Sequence, residues 1–220
     1  MQENEIRFIS GQPLELIHDE IPLLSVQMTL PYLEGRNGRF NRYYRLCAKR
    51  FEQYCRRELF PLAQAAYCRA LEDSSPIPQW QATITSYATW QRENIVSLVC
   101  DTAVTGMTQP IQRRQGDTWD LRRELFLSLP DCFPAGVPWK RQLMEYAAQT
   151  IAQQEAAGVA RYCDNWSIRL RSAFHPQQFY LGEDGLYFFF PYRTIAPAVE
   201  GIPTFCLPYN GNTGPFIPPL

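Results

Sequence analysis

The sequence lacks the patterns that usually mark an enzyme or a metal site. Its 220 residues include only two histidines, His18 and His175. Its seven cysteines are scattered and form no C-x-x-C pair, so the spacing of a zinc site is absent. It also contains no G-x-S-x-G elbow, no glycine-rich phosphate loop and no H-E-x-x-H motif. We therefore expect a non-catalytic protein that uses no metal or other cofactor.

Long apolar runs and net charge are also missing. The formal net charge of -1 gives no general attraction to nucleic acid, so no nucleic-acid partner is expected. The most apolar stretch, GLYFFFPYR, is interrupted by Pro191 and Arg193 and is shorter than the roughly 20 residues that cross a bilayer. The first residues, MQENEIRFISGQ, do not have the pattern of a secretory signal. These features predict a cytoplasmic chain without a membrane span.

The cysteine count of seven is odd, and the thiols lie in apolar surroundings. This pattern favours reduced, buried thiols over a disulfide framework, although two or three bridges stay open as an alternative. Neighbouring acidic residues, Asp19 with Glu20 and Glu183 with Asp184, fall in turn-like places. We interpret them as solvated turn residues rather than as a general acid and base.

In the N-terminal half, apolar spacing predicts one strand and one long helix. Residues 22–33 alternate as a strand does. Residues 37–72 carry apolar side chains at helical spacing, with Asn37 as the N-cap and Pro61 as a kink or break. The opposite face is basic, and we interpret it as solvated rather than as a binding surface. Its cations are Arg42, Arg45, Lys49 and Arg56.

The middle of the chain predicts neighbouring antiparallel strands, and the next part predicts helices. Residues 80–91 and 94–104 are separated by a hairpin-length gap, and residues 109–121 are an edge strand or part of another hairpin. Residues 138–158 and 164–174 have the pattern of helices, with Asn165 as an alternative cap of the second one.

The aromatic stretch DGLYFFFPYRTIAPAVEGIPTFCLPY, residues 184–209, predicts the last strands of a sheet. Asp184 and Gly185 fit a hairpin turn, residues 186–192 a strand buried on both faces, and residues 204–207 a returning strand. The rings are expected to belong mainly to the core. The connection APAVEGIP can present polar groups, and the candidate ligand-binding residues are Tyr192, Arg193 and Glu200.

These elements together predict an α+β fold. Antiparallel sheets are expected to pack against one long N-terminal helix and a second helix in the C-terminal half. We expect two interlocked lobes that form one unit. The first is a strand–helix–hairpin lobe over residues 1–105, and the second is an α+β lobe over residues 106–220.

The same aromatic stretch resembles the closing signature of the C-terminal domain of RsiV-like anti-sigma factors, F-Y-L-x-x-D-G-L followed by I-A-P-x-x-x-G-I-P and P-Y. The first matching residues are Phe179, Tyr180, Leu181, Asp184, Gly185 and Leu186. The later ones are Tyr192, Ile195, Ala196, Pro197, Gly201, Ile202, Pro203, Pro208 and Tyr209. Upstream, the run GDTWDLRRELFLSLPDCF is similar to a second family segment through Asp120, Leu121, Leu127, Leu129, Asp131 and Phe133.

The resemblance implies a non-catalytic α+β binding or sensor module. In RsiV-like proteins it implies an extracytoplasmic sensor that binds lysozyme. The same domain pair accompanies peptidoglycan polysaccharide deacetylases, in which a separate domain carries the chemistry. The expected ligand is therefore a lysozyme-like protein or a cell-wall fragment, and the location is extracytoplasmic if the sequence is a truncated form.

Two other functions stay open. An intracellular protein–protein interaction or structural domain is favoured by the seven thiols and the missing export signal. A hydrolase acting on cell-wall polysaccharide is the remote alternative, and it would need converging acidic residues in a deep pocket.

Overall fold

The computed structural model describes residues 5–35, 38–210 and 214–216. Over these residues the chain forms the following strands and helices. The strands are β1 (Ile6–Ser10), β2 (Leu14–His18), β3 (Ile21–Leu33), β4 (Trp80–Arg92), β5 (Ile95–Thr105), β6 (Ile111–Asp120), β7 (Leu125–Phe126), β8 (Phe179–Leu181), β9 (Gly185–Phe189) and β10 (Thr204–Pro208). The helices are α1 (Arg39–Tyr54), α2 (Phe60–Glu72), α3 (Trp139–Ala156) and α4 (Trp166–Ala173), with a π-helical turn at Cys55–Leu59 and 3-10 turns at Leu129–Cys132 and Ala198–Glu200. The predicted α+β class is confirmed.

The strands pair into two sheets. One sheet has the order β1–β3–β4–β5–β6–β7, with β2 also paired to β3, and the other has the order β10–β9–β8. Pairs such as β1–β3 and β8–β9 are antiparallel, but β3 and β4 run parallel, with Leu24 opposite Trp80. Parallel neighbours need a crossover of roughly a dozen residues or more, and the helices between β3 and β4 supply it. The sequence makes no prediction for the partner of β3.

The long N-terminal helix is continuous from α1 through the π-helical turn into α2. The Phe60 N–H donates to the carbonyl of Cys55, five residues back. Pro61 follows directly, and its ring would crowd the carbonyl of Arg57 in a regular α-helix. The wider π turn just before Pro61 therefore accommodates the proline, and the helix is not split in two. The predicted N-cap, Asn37, lies outside the described residues, and α1 begins after Gly38.

Contacts divide the chain into two compact units, and each unit combines two stretches. Unit 1 comprises Met1–Tyr87 with Cys100–Gln112, and unit 2 comprises Ala88–Val99 with Arg113–Leu220. The predicted lobes, residues 1–105 and 106–220, stay a prediction.

In unit 1, one face of the long helix packs on β3 and β4. Phe51, Leu59 and Ala63 from the helical side join Leu24 and Ala82 of the strands in one buried cluster. The start of α1 is tied to the end of β3 by a buried amide. Asn41 Oδ1 accepts from the N–H of Leu33 at 2.8 Å, and Asn41 Nδ2 donates to the carbonyl of Leu33 at 2.9 Å.

The outer face of the long helix is exposed, as predicted for its basic side chains. Arg56 donates to the Glu52 carboxylate at 2.8 Å, one turn earlier, and the Arg45 Nε donates to the carbonyl of Asn41. These contacts lie along the helix itself. The interpretation of the basic side chains as a solvated face rather than a binding surface stays a prediction.

In unit 2, the three-stranded sheet is built from aromatic side chains. Phe188 of β9 lies opposite Phe179 of β8 and Phe205 of β10, and its ring stacks on that of Phe205 with centroids 5.4 Å apart. The aromatic rings thus belong to the core, as predicted. The strand is shorter than the predicted 186–192, because β9 begins at Gly185 and ends at Phe189. Proline at 191 cannot donate to a ladder, which is the physical reason for the early end.

None of the seven cysteines forms a disulfide in the structure, but only Cys55, Cys100 and Cys132 are buried, and Cys68 is exposed. Cys55 and Cys132 are fully buried. Burial, with the nearby charge of Glu52, raises the pKa of Cys55 to about 11. Burial, with the charge of Asp131, raises the pKa of Cys132 to about 12. Both thiols therefore stay protonated at neutral pH.

Candidate functional site

A groove of about 770 Å³ lies in unit 2 between α3 and α4. Its volume falls within the range of roughly 300–1,000 Å³ that is typical of ligand sites. Residues 137–148 form one wall and residues 166–171 form the other. The groove is thus made by the first turns of two neighbouring helices.

The α3 wall follows from helical spacing. Lys140, Met144 and Ala148 are four residues apart, so their side chains lie in one row along the helix. The deeper face of α3 carries Leu143, Ala147 and Ile151, which are fully buried in the core of unit 2. Met144 is buried in the same core and Ala148 packs against it, and both also line the groove.

The α4 wall carries Trp166, Ser167, Leu170 and Arg171. Leu170 is buried in the core and fixes the helix in place. The N–H of Trp166 donates to the carbonyl of Cys163 at 2.8 Å and closes the turn before the helix. The helix starts after Asn165, the alternative cap given by the sequence.

A chain of aromatic rings connects the groove to the core. The Trp139 ring lies 6.3 Å from that of Phe174, which lies 6.3 Å from Phe190. Phe190 contacts Phe205 of the sheet at 5.8 Å. Because Trp139 is wedged against buried rings, the groove is preformed and does not depend on a ligand to hold this wall.

Charges at the groove are mainly positive. Among the described residues that line it, Lys140, Arg141 and Arg171 are cationic and Glu145 is the single carboxylate. Glu145 pairs with Arg141 at 3.6 Å, and both are well exposed. The first turn of α3 contains no acidic residue. Cations at the positive end of a helix dipole are unfavourable, so this arrangement does not serve the stability of α3.

The predicted site residues lie on the connection between β9 and β10. Tyr192 and Arg193 come together, with the guanidinium carbon 5.1 Å from the centre of the Tyr192 ring. Glu200 makes a different contact, because its Oε1 accepts a hydrogen bond from the backbone N–H of Arg161 at 3.2 Å. None of the three lines the groove described above. Their role in binding stays a prediction.

Hydrogen bonds join this connection to α4 and to the segment that precedes α4. The N–H of Cys163 donates to the carbonyl of Ile195 at 3.0 Å, and Arg169 donates to the carbonyl of Thr194 at 3.1 Å. These hydrogen bonds hold the connection in place.

Tyr162 lies in the segment before α4, and its hydroxyl donates to Gln154. Burial, with the charges of Glu200 and Glu155, raises the pKa of Tyr162.

A second cavity, of about 580 Å³, lies in unit 1 beside α2 and β4. Arg69 and Asp73 are among its polar lining residues. Trp80 also lines it, and its buried Nε1 has no hydrogen-bond partner. That atom is not accessible to a water-sized group, so it offers a ligand no direct contact.

Across the part of the chain that the structure describes, no three His, Cys, Asp or Glu side chains are grouped so that they could hold a metal ion. In that same part, no helix is both long enough and apolar enough to span a membrane.

Residues 131–210 match one family model. Its description is "Protein of unknown function (DUF3298)". The DUF3298 match includes both helices of the groove, the three-stranded sheet and the predicted connection residues. It leaves out the cavity of unit 1. No curated protein matches the chain.

Solved structures of DUF3298 proteins have a similar fold. A member from Bacteroides fragilis superimposes with a TM-score of 0.68 at 16% identity, covering 94% of this chain and 90% of the other. A protein from Pseudomonas aeruginosa PAO1 gives a TM-score of 0.58 at 16% identity, covering 97% and 98%. At this identity the likeness shows the fold, and it extends over nearly the whole chain.

Sequence reasoning missed the groove. Trp139 and Trp166 each occupy the first position of a helix, and both are only partly buried. The sequence does contain a signal for the groove. Two helices each begin with a tryptophan, and the first of them also carries Met144 and Ala148 beside its buried face. Only the packing of α3 beside α4 places these side chains on facing walls.

Proposed function

We propose that this chain is a non-catalytic binding module whose ligand site is the groove between α3 and α4. The observation that carries the proposal is the composition of that preformed groove. Partly buried Trp139 and Trp166 stand over an apolar floor, and cations stand at its edge. Tryptophan and arginine are the side chains that most often dominate binding energy.

The proposed ligand is a protein or a cell-wall fragment, as the RsiV-like resemblance implies. The residues of that resemblance, 179–209, lie in the same DUF3298 stretch as the groove. Both classes of ligand offer apolar or ring surfaces that can lie on tryptophan. Muropeptides also offer carboxylates for the basic edge.

The small number of acidic side chains in the groove supports a non-catalytic role. Glu145 is the one carboxylate among its described lining residues, and Arg141 is its partner. Acid–base catalysis needs a proton donor and a proton acceptor near the reacting atoms.

The Ala148→Gln substitution tests the site. Ala148 is partly buried at the C-terminal end of the α3 wall, so a longer side chain there extends into the groove while glutamine still favours the helix. We expect at least about a tenfold loss of ligand affinity, which corresponds to about 1.4 kcal/mol. Calorimetric titration with lysozyme and with soluble muropeptides measures it.

The matched control is Ala152→Gln, one turn further along α3 on an exposed position. It introduces the same side chain into the same helix and should leave the affinity unchanged. Equal losses in both variants would contradict the groove as the site. If neither lysozyme nor muropeptides give a heat of binding with the wild-type chain, both ligand classes are excluded.

A second candidate function is an intracellular protein–protein interaction domain. The observation that favours it is that none of the seven cysteines forms a disulfide, which fits a reducing compartment better than an oxidising one.

Thiol counting on protein isolated from its native host tests this candidate. We expect seven reactive thiols in denaturant. In the native protein at pH 8, exposed Cys68 should react first. Cys55 and Cys132 should stay unreactive, because pKa values of about 11 and about 12 leave little thiolate. Fewer than seven thiols in denaturant would mean oxidised pairs and would count against the intracellular reading.

A further inference from the structure

We infer that the occupant of the groove is an acidic amphipathic helix presented by a partner protein. This inference rests on the proposed function and names the class of ligand. It follows from two properties of the groove, its helical walls and its charge.

The walls suit a third helix. The helical part of the α3 wall, residues 139–148, rises by roughly 15 Å, the length of a helix of about ten residues. Rows of side chains spaced by four residues, such as Lys140, Met144 and Ala148, leave furrows into which the ridges of another helix pack. An amphipathic helix would place apolar residues at positions i, i+3, i+4 and i+7 on this floor.

The charge selects an acidic partner. The described lining residues include three cations and one carboxylate; Arg141 pairs with that carboxylate, Glu145, and Lys140 and Arg171 supply the excess positive charge. Lys140 and Arg141 also lie in the first turn of α3, where positive charge opposes the helix dipole. Carboxylates flanking the apolar face of a partner helix would compensate these charges. A basic partner helix would add to the repulsion.

A peptide selection tests the inference. A library of random 12-residue peptides displayed on phage is selected against the whole chain, and clones that also bind the Ala148→Gln variant are discarded. We expect the remaining peptides to carry apolar residues at helical spacing and an excess of Asp and Glu. Their affinity should fall severalfold between 50 and 300 mM salt, since ionic screening weakens exposed charge pairs.

The Lys140→Glu substitution reverses a charge at the groove, and any loss of affinity that it causes cannot be attributed to a destabilised fold. Because an acid in the first turn of α3 is favourable, the variant should raise the urea midpoint of the chain slightly. It should nevertheless lower the affinity for the selected acidic peptides about tenfold. The matched control is Lys49→Glu on the solvated face of α1, which should leave the affinity unchanged.

Each outcome decides between the inference and the proposed function. Selected peptides that are basic, or that bind Lys140→Glu as tightly as wild type, overturn the acidic helix. If no peptide is selected but muropeptides bind and Ala148→Gln weakens them, the acidic helix falls and the groove stands as the ligand site. If neither peptides nor muropeptides nor lysozyme respond to Ala148→Gln, both fall.

Discussion

Replacing Gly116 by alanine should lower the free energy of unfolding by more than about 4 kcal/mol, or abolish the folded state of unit 2. A β-carbon at this position of β6 would lie 1.8 Å from the carbonyl oxygen of Phe179 and 2.7 Å from its carbonyl carbon. Both atoms belong to backbone, so no side chain can rotate away. The two backbone segments would have to separate, which removes β8 from its place against β6.

Urea unfolding followed by circular dichroism measures this effect. The control is Gly11→Ala, because a β-carbon at Gly11 meets nothing within 4 Å. That substitution should change the stability by no more than about 0.5 kcal/mol. A Gly116→Ala protein with wild-type stability would mean that β6 and β8 do not approach each other this closely.

The Phe188→Ala substitution should cost about 3–5 kcal/mol, the usual loss for a fully buried ring. Phe188 is fully buried, stacks on Phe205 and meets Phe190 edge-on with centroids 6.2 Å apart. Removing it leaves a cavity under the ring chain that supports Trp139. We therefore also expect weaker binding in the groove at temperatures where the variant is still folded.

Phe126→Ala is the matched control for the loss of a phenylalanine. Phe126 is 44% exposed, and its ring contacts Trp119 with centroids 3.9 Å apart. We expect a cost of about 1 kcal/mol, the scale of one aromatic pair. Thermal unfolding of both variants compares them, and equal costs would contradict the buried position of Phe188.

Much of the fold could be predicted from local patterns. The helix over residues 39–72 and the strand over residues 80–92 each carry a long apolar period, and such a period reports one buried face. Pro61 and Gly158 mark an irregular helical turn and a helix end for reasons of backbone chemistry alone. The sequence predicts too long a strand β9, because the apolar run continues beyond Phe189, where the strand ends.

The groove is not predicted by the sequence. The sequence points instead to Tyr192 and Arg193, which stack on each other but do not line the groove, and their role in binding stays a prediction. It does not point to the groove, since Trp139 and Trp166 are far apart along the chain and each alone fits a partly buried helix start. A groove exists only where two elements meet, and local periodicity contains no information on that meeting.

The sequence by itself determined the α+β class and the aromatic core of the C-terminal strands. These properties depend on residue type and on spacing along a single element. The tertiary structure alone decided the parallel pairing of β3 with β4, the close approach of Gly116 to Phe179 and the basic-edged groove. These depend on contacts between residues distant in sequence, and such contacts are set by packing.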